Sequence, residues 1–217
     1  PTASALCGWR PLRNNCELND YLTSLFNLEG RTALLIGAGG FLVSEMSRAA
    51  GRAGMKIVSC DARLEDAERT AQEVAAAGGD ALACEVDVRS PASLQAALDT
   101  ALARYGRVDC LLNGAGINAP TPFLEISLEE WNDIIAVQLT GTMLSCQIFG
   151  RYMVREQRGS IVNISSASAG PPLSKAFTYS VAKAGVANLT KNLAREWGTS
   201  GVRVNALRPG FFPTEWS

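Results

Sequence analysis

The sequence predicts an α/β domain, a doubly wound parallel sheet covered by helices on both faces. Three observations carry this reading. Strand-like and helix-like patterns alternate along the chain at the spacing of repeated strand–helix units. The strand-like runs are apolar at nearly every residue, as strands buried on both faces are. A cluster of glycines, Gly37, Gly39 and Gly40, lies between the first such run and the helix pattern after it.

Taken in order, "RTALLI" (31–36) is the first strand, and "SEMSRAAGRAG" after the glycines is compatible with a helix. "MKIVSC" (55–60) is the second strand, followed by "RLEDAERTAQEVAAAGG", an alanine-rich amphipathic helix stopped by Gly78 and Gly79. "ALACEV" (81–86) is the third. The next helix has Ser90 as N-cap, Pro91 at its first position and Gly106 at its end. "VDCLLN" (108–113) makes the fourth strand, and helices fill roughly 127–156. "GSIVNIS" (159–165), a helix over about 177–198 and "VRVNAL" (202–207) complete the pattern. Residues 1–27 read as a weakly structured extension, without the positive start and continuous apolar core of a signal peptide. Residues 28–217 form the α/β domain, with no internal repeat or linker.

Composition removes several function classes. A length of 217 residues with 47% hydrophobic and 19% charged residues is ordinary for one globular domain. A net charge of -1 leaves no footprint for nucleic acid or an anionic membrane, and no apolar run is long enough to span a bilayer. The absence of histidine removes Ser-His-Asp and Cys-His catalysis and His-ligated zinc. No metal site is expected. The six cysteines contain no C-x-x-C pair, and four lie in apolar runs, which favours buried reduced thiols and a cytoplasmic home.

In open α/β sheets ligands bind beyond the carboxyl ends of the strands. Gly37, Gly39 and Gly40 follow the first strand, where glycine lets backbone N–H groups approach a pyrophosphate at a helix start. Asp61 follows the second, near the spacing of an acid that accepts both adenine-ribose hydroxyls and repels a 2′-phosphate. It argues for NAD over NADP, although Arg63 nearby weakens the preference. Asp87 sits where a polar group could meet the adenine, and Asn113, Gly114, Ala115 and Gly116 give another backbone-exposed turn. Tyr179 and Lys183 are four apart on one helix and so share a face. A phenol is a poor base at neutral pH and needs a fixed positive charge nearby. Ser166 ends the fifth strand, where its hydroxyl can hold a substrate oxygen. Four Tyr and four Lys would give Tyr-x-x-x-Lys by chance only about 0.07 times.

Across essentially 28–217 the chain resembles the short-chain dehydrogenase/reductase family. The resemblance rests on the glycine loop "GAGGFL", Asp61, "VDV" with Asp87 and Val88, and "NGAG". It rests further on Ser166 thirteen residues before Tyr179, Lys183, "VRVNALRPG", and Thr214 after Pro209 and Gly210. It implies a Rossmann-like fold and reversible hydride transfer between a nicotinamide and an alcohol or ketone. It implies Tyr179 as general acid/base, Ser166 polarising the substrate oxygen, and Lys183 on the nicotinamide ribose while lowering the tyrosine's pKa. Thr214 would touch the carboxamide, and the backbone of Phe41 and Leu42 would belong to the phosphate loop. "GAGGFL", "PLSK" and "PGFFPTE" look most like the sugar-acid branch, the gluconate and fructuronate type. In that branch Lys175 could pair with a substrate carboxylate and Phe211 could line the substrate. A homo-tetramer or dimer pairing through the helices around 137–156 and 177–198 is implied as well.

The chain departs from the family pattern in four places. Ile36 stands where a threonine usually ties the loop to its neighbours. Val43 replaces the closing glycine and is expected to crowd either the pyrophosphate or the helix–strand contact. Gln138, in "VQLTG", replaces the family's catalytic asparagine and would shift the water relay to Lys183. The family's seventh, edge strand and substrate-covering helices have no counterpart up to Ser217, so they are expected beyond it. Two other readings remain: a 3-oxoacyl-thioester reductase, against which Asp61 counts, and a dinucleotide-binding protein without turnover.

Overall fold

The computed structural model describes residues 15–171 and 175–212. Six strands form one parallel sheet: β1 Thr32–Ile36, β2 Lys56–Asp61, β3 Asp80–Glu85, β4 Cys110–Asn113, β5 Gly159–Ile164 and β6 Val202–Leu207. Their spatial order is β3-β2-β1-β4-β5-β6, so the chain reverses its winding direction between β1 and β4. A crevice opens at that switch point beyond the strands' carboxyl ends.

The helices are α1 Asn15–Phe26, α2 Phe41–Arg52, α3 Leu64–Ala76, α4 Pro91–Tyr105, α5 Leu128–Ile135, α6 Gly141–Arg155 and α7 Phe177–Trp197. Every residue of β1 is buried, as its unbroken apolar run requires of a central strand covered on both faces. One face packs Leu34, Ile36 and Val58 against α4 and α6 through Leu94, Phe149 and Met153. The other packs Leu35 and Ile57 with Val43 of α2 and Val74 of α3. α4 starts as its sequence dictates: the Ser90 side chain accepts from the Ser93 N–H, Pro91 opens the helix and Gly106 closes it at φ 75°.

One expectation is corrected: residues 15–26 of the supposed weakly structured extension are helical. Helices fill 128–155 as expected, with a π-helical turn, Ala136–Thr140, between α5 and α6. Among the described residues β6 pairs only with β5, leaving its outer edge open. Residues 1–14, and with them Cys7, lie outside the described residues, as do 172–174 and Thr214.

Candidate active site

The crevice is a cleft of about 460 Å³ at the ends of β1, β2, β3 and β4. Gly37, Gly40, Asp61, Asp87, Val88, Gly114, Ala115 and Gly116 all line it. Two glycines are there for physical reasons. Gly37 has φ 85°, and a Cβ on it would come within 2.7 Å of the Ala115 backbone nitrogen. Gly114 has no room for a Cβ because the Val43 side chain would be 2.4 Å away.

That contact decides where Val43 goes. It is 3% exposed and points into the core between α2 and the sheet, so it crowds the helix–strand contact and not the cleft. The absent side chain of Gly114 makes the room that the missing glycine of the loop would have made. Val43→Gly therefore empties a filled core site and adds a helix glycine, lowering stability by about 2–3 kcal/mol. Thermal denaturation should show a Tm lower by roughly 5–10 °C; an unchanged Tm would contradict this packing.

The start of α2 is suited to an anion. Its N-cap is Gly40, which offers no side-chain hydrogen bond, and the first turn carries no acid. The leading N–H groups, including those of Phe41 and Leu42, have no partners within the helix and carry its positive end. Beside them the Asp61 carboxylate accepts from the Gly39 N–H at 2.9 Å. Gly37 and Ala38 donate their N–H groups to the Cys60 carbonyl at 2.8 and 2.9 Å. Narrow glycine turns, an uncapped helix and an acid at the next strand end form a cradle that fits a dinucleotide. Gly37, Gly40 and the start of α2 would hold its pyrophosphate, and Asp61 would hold the adenine ribose.

Asn113 ends β4 at the start of the 114–116 turn. Its side chain is buried in a polar network, accepting from the Ser145 hydroxyl at 2.6 Å and donating to Asn163 at 2.9 Å. Asn163 in turn donates to the Thr190 hydroxyl at 3.0 Å. Asn113 and Asn163 are register partners on β4 and β5, so this network ties the sheet centre to α6 and α7. The Asn113 amide is thus committed to the scaffold; its neighbours Gly114 to Gly116 form the turn at the cleft.

The candidate reactive side chains lie just after β5 and on α7. Lys183 is 4% exposed, and its Nζ donates to the Ile164 carbonyl at 2.8 Å while lying 5.5 Å from the centre of the Tyr179 ring. Burial lowers its pKa from 10.5 to about 8. The Ser166 Oγ accepts from both the N–H and the hydroxyl of Ser168, at 3.1 and 3.0 Å. Its own hydrogen is therefore left to donate outward. The segment after β6 is brought alongside: the Pro209 carbonyl accepts from the Ala167 N–H at 2.9 Å. Arg208 donates to the Ser166 and Ala167 carbonyls, which places Pro209 and Gly210 next to the serine. Phe211 is 83% exposed, and Lys175 is exposed in a turn at φ 54°.

Gln138 sits in the π-helical turn, fully buried, and its amide donates to the Ile117 carbonyl at 2.6 Å. Its Oε1 has no hydrogen-bond partner and faces Gly116, where a Cβ would stand 3.2 Å away. The extra methylene carries the amide across to the 114–117 turn, which it braces. Sequence reasoning missed Ser168, Arg208 and the Ile164 carbonyl; only the Ser-rich run "SSAS" hinted at the first.

The fold and this cleft together define a doubly wound α/β domain with a dinucleotide-sized crevice at its switch point, and Ser166, Tyr179 and Lys183 follow β5 or lie on α7. The family model described as short chain dehydrogenase matches residues 31–217. D-threitol dehydrogenase of Mycolicibacterium smegmatis is 37% identical over 190 residues, 88% of this chain and 73% of that one. A 3-oxoacyl-[acyl-carrier-protein] reductase of Synechocystis sp. is 34% identical over 189 residues, 87% and 76%. The 5-keto-D-gluconate 5-reductase of Escherichia coli K12 is 30% identical over 194 residues, 89% and 76%. The chain belongs to the short-chain dehydrogenase/reductase family, whose members use a nicotinamide cofactor. The described residues hold no cluster of potential metal ligands, and no helix among them is long and apolar enough to cross a membrane. Cys60, Cys84, Cys110 and Cys146 are free thiols.

Proposed function

We propose that this protein catalyses reversible hydride transfer between NAD and a secondary alcohol or ketone of a polyol or sugar acid. The observation that carries the reading is the buried Lys183 ammonium beneath the Tyr179 ring, one helix turn from it. When bound, the nicotinamide takes or gives the hydride. The protein's residues handle the oxygen and its proton. Ser166, with its hydrogen left to donate, fixes the substrate oxygen. The Tyr179 hydroxyl takes the proton from an alcohol or returns it to a ketone. The Lys183 charge stabilises the phenolate that this transfer creates.

The choice of NAD rests on Asp61, whose carboxylate lines the cleft and would repel a 2′-phosphate. Arg63, which could take such a phosphate, is ion-paired to Asp66. The substrate class rests on the similarity to the threitol and 5-keto-gluconate enzymes. Lys175, exposed before α7, is the candidate partner for a sugar acid's carboxylate. The similarity to a 3-oxoacyl reductase keeps oxoacyl thioesters as the second substrate class to test.

The test is a fluorescence titration with NADH and NADPH, followed by a screen of polyols, sugar acids and a 3-oxoacyl thioester. NADH should bind more tightly than NADPH, and a polyol or sugar acid should be turned over. Preference for NADPH, or turnover of the thioester alone, would overturn the proposal.

A further inference from the structure

The phosphate loop has an unusual mechanical problem. Three glycines in four positions lose more backbone freedom on ordering than any other residues would. Ile36, buried in the core ahead of them, offers no hydroxyl to hold them. β2 holds the loop's N–H groups through the Cys60 carbonyl and Asp61, and α3 holds its carbonyls. The Thr70 hydroxyl, on a residue that is 0% exposed, donates to the Ala38 carbonyl at 2.8 Å. The preceding residue, Arg69, donates to the Gly39 carbonyl at 3.2 Å and is itself ion-paired to Asp66. From the other side Asp61 accepts the Gly39 N–H. Gly39 fits because it lacks a side chain, since a Cβ there would meet the Asp66 Cβ at 2.6 Å.

We propose that Thr70 and Arg69 are positioning residues that clamp Ala38 and Gly39, holding the glycine loop in its nucleotide-ready form before any nucleotide arrives. The inference rests on the nucleotide reading of the cleft, but the clamp is a property of the unliganded chain. Neither residue reaches the reacting atoms. Both act by removing freedom the loop would otherwise lose on binding, which is preorganisation in the ordinary sense. Thr70→Val keeps the shape and deletes the donor, leaving the buried Ala38 carbonyl without it.

The test measures amide hydrogen exchange across residues 37–42 in the unliganded protein, with NADH affinity measured in parallel. Thr70→Val should speed exchange in this segment about tenfold, the equivalent of one lost hydrogen bond, and weaken NADH binding by about the same factor. Thr70→Ser should restore both, and exchange in β1 and β5 should not move. Arg69→Gln, at an exposed position, should give a smaller rise in the same segment. Wild-type exchange across 37–42 in both Thr70→Val and Arg69→Gln would overturn the clamp. If Thr70→Val fails to fold, Arg69→Gln alone decides, and wild-type exchange in it overturns the clamp. Should wild type bind neither NADH nor NADPH while the variants still loosen the loop, the clamp stands and the nucleotide reading falls.

Discussion

Tyr179→Phe should lower kcat by about a thousandfold, the usual worth of a positioned general acid/base, while leaving the fold intact. No hydrogen bond to the Tyr179 hydroxyl is present among the described residues, so its removal strands no buried partner. The aromatic ring, which packs over the Lys183 ammonium, is retained. The Tm should therefore stay at the wild-type value and NADH should still bind. Steady-state kinetics beside a melting curve check this. A variant that keeps a tenth or more of the wild-type kcat would show that Tyr179 does not carry the proton.

Lys183→Met should separate stability from activity in the opposite sense. Burial depresses the lysine from 10.5 to about 8, so the folded protein at pH 7 holds a charge it would rather not bury. The sign follows from proton counting. Between pH 8 and 10.5 the unfolded chain binds more protons than the folded one, so this group's contribution to stability grows as pH rises through that window. Below pH 8 the penalty is present in full, about 3 kcal/mol from the size of the shift. Methionine fills a similar volume without charge and gives up the charge-assisted bond to the Ile164 carbonyl, about 2 kcal/mol, which leaves a smaller net gain. The variant should thus be more stable than wild type at pH 7, should lack the alkaline rise, and should lose turnover because nothing stabilises the phenolate. Denaturant melts at pH 7 and pH 10 check it. A Lys183→Met protein less stable than wild type at pH 7 would mean that the ammonium is a structural asset and not a functional cost.

Much of this architecture could be read from the sequence because burial on both faces leaves so little choice. The largely apolar β1 and β2 runs suit central strands, and Ser90-Pro91 suits a helix start. The cleft residues were legible for the same reason: Gly37, Asp61 and Gly114 sit at strand ends, and a parallel sheet brings those ends together. What was not legible depends on contacts between distant segments. Whether Val43 faced the cleft or the core turned on Gly114, 71 positions later, and no local pattern encodes that pairing. The π-helical turn at 136–140 escaped because its hydrogen-bond register is invisible to apolar periodicity. The amides of Gln138 and Asn113 bond to segments distant in sequence, the Ile117 carbonyl and Ser145 with Asn163, and no local pattern encodes those partners. Thr70 reads as one more polar residue on an amphipathic helix until α3 is packed against the glycine loop.

In the proposed reaction a hydride leaves the substrate's carbinol carbon while Tyr179 takes the proton from its oxygen. The most direct measurement uses a polyol or sugar acid deuterated at that carbon, with NAD and the wild-type enzyme. Mass spectrometry of the recovered cofactor should find one deuterium in the NADH formed, and a parallel reaction with Tyr179→Phe should form almost none. Unlabelled NADH, or labelled NADH formed equally fast by both proteins, would contradict the account.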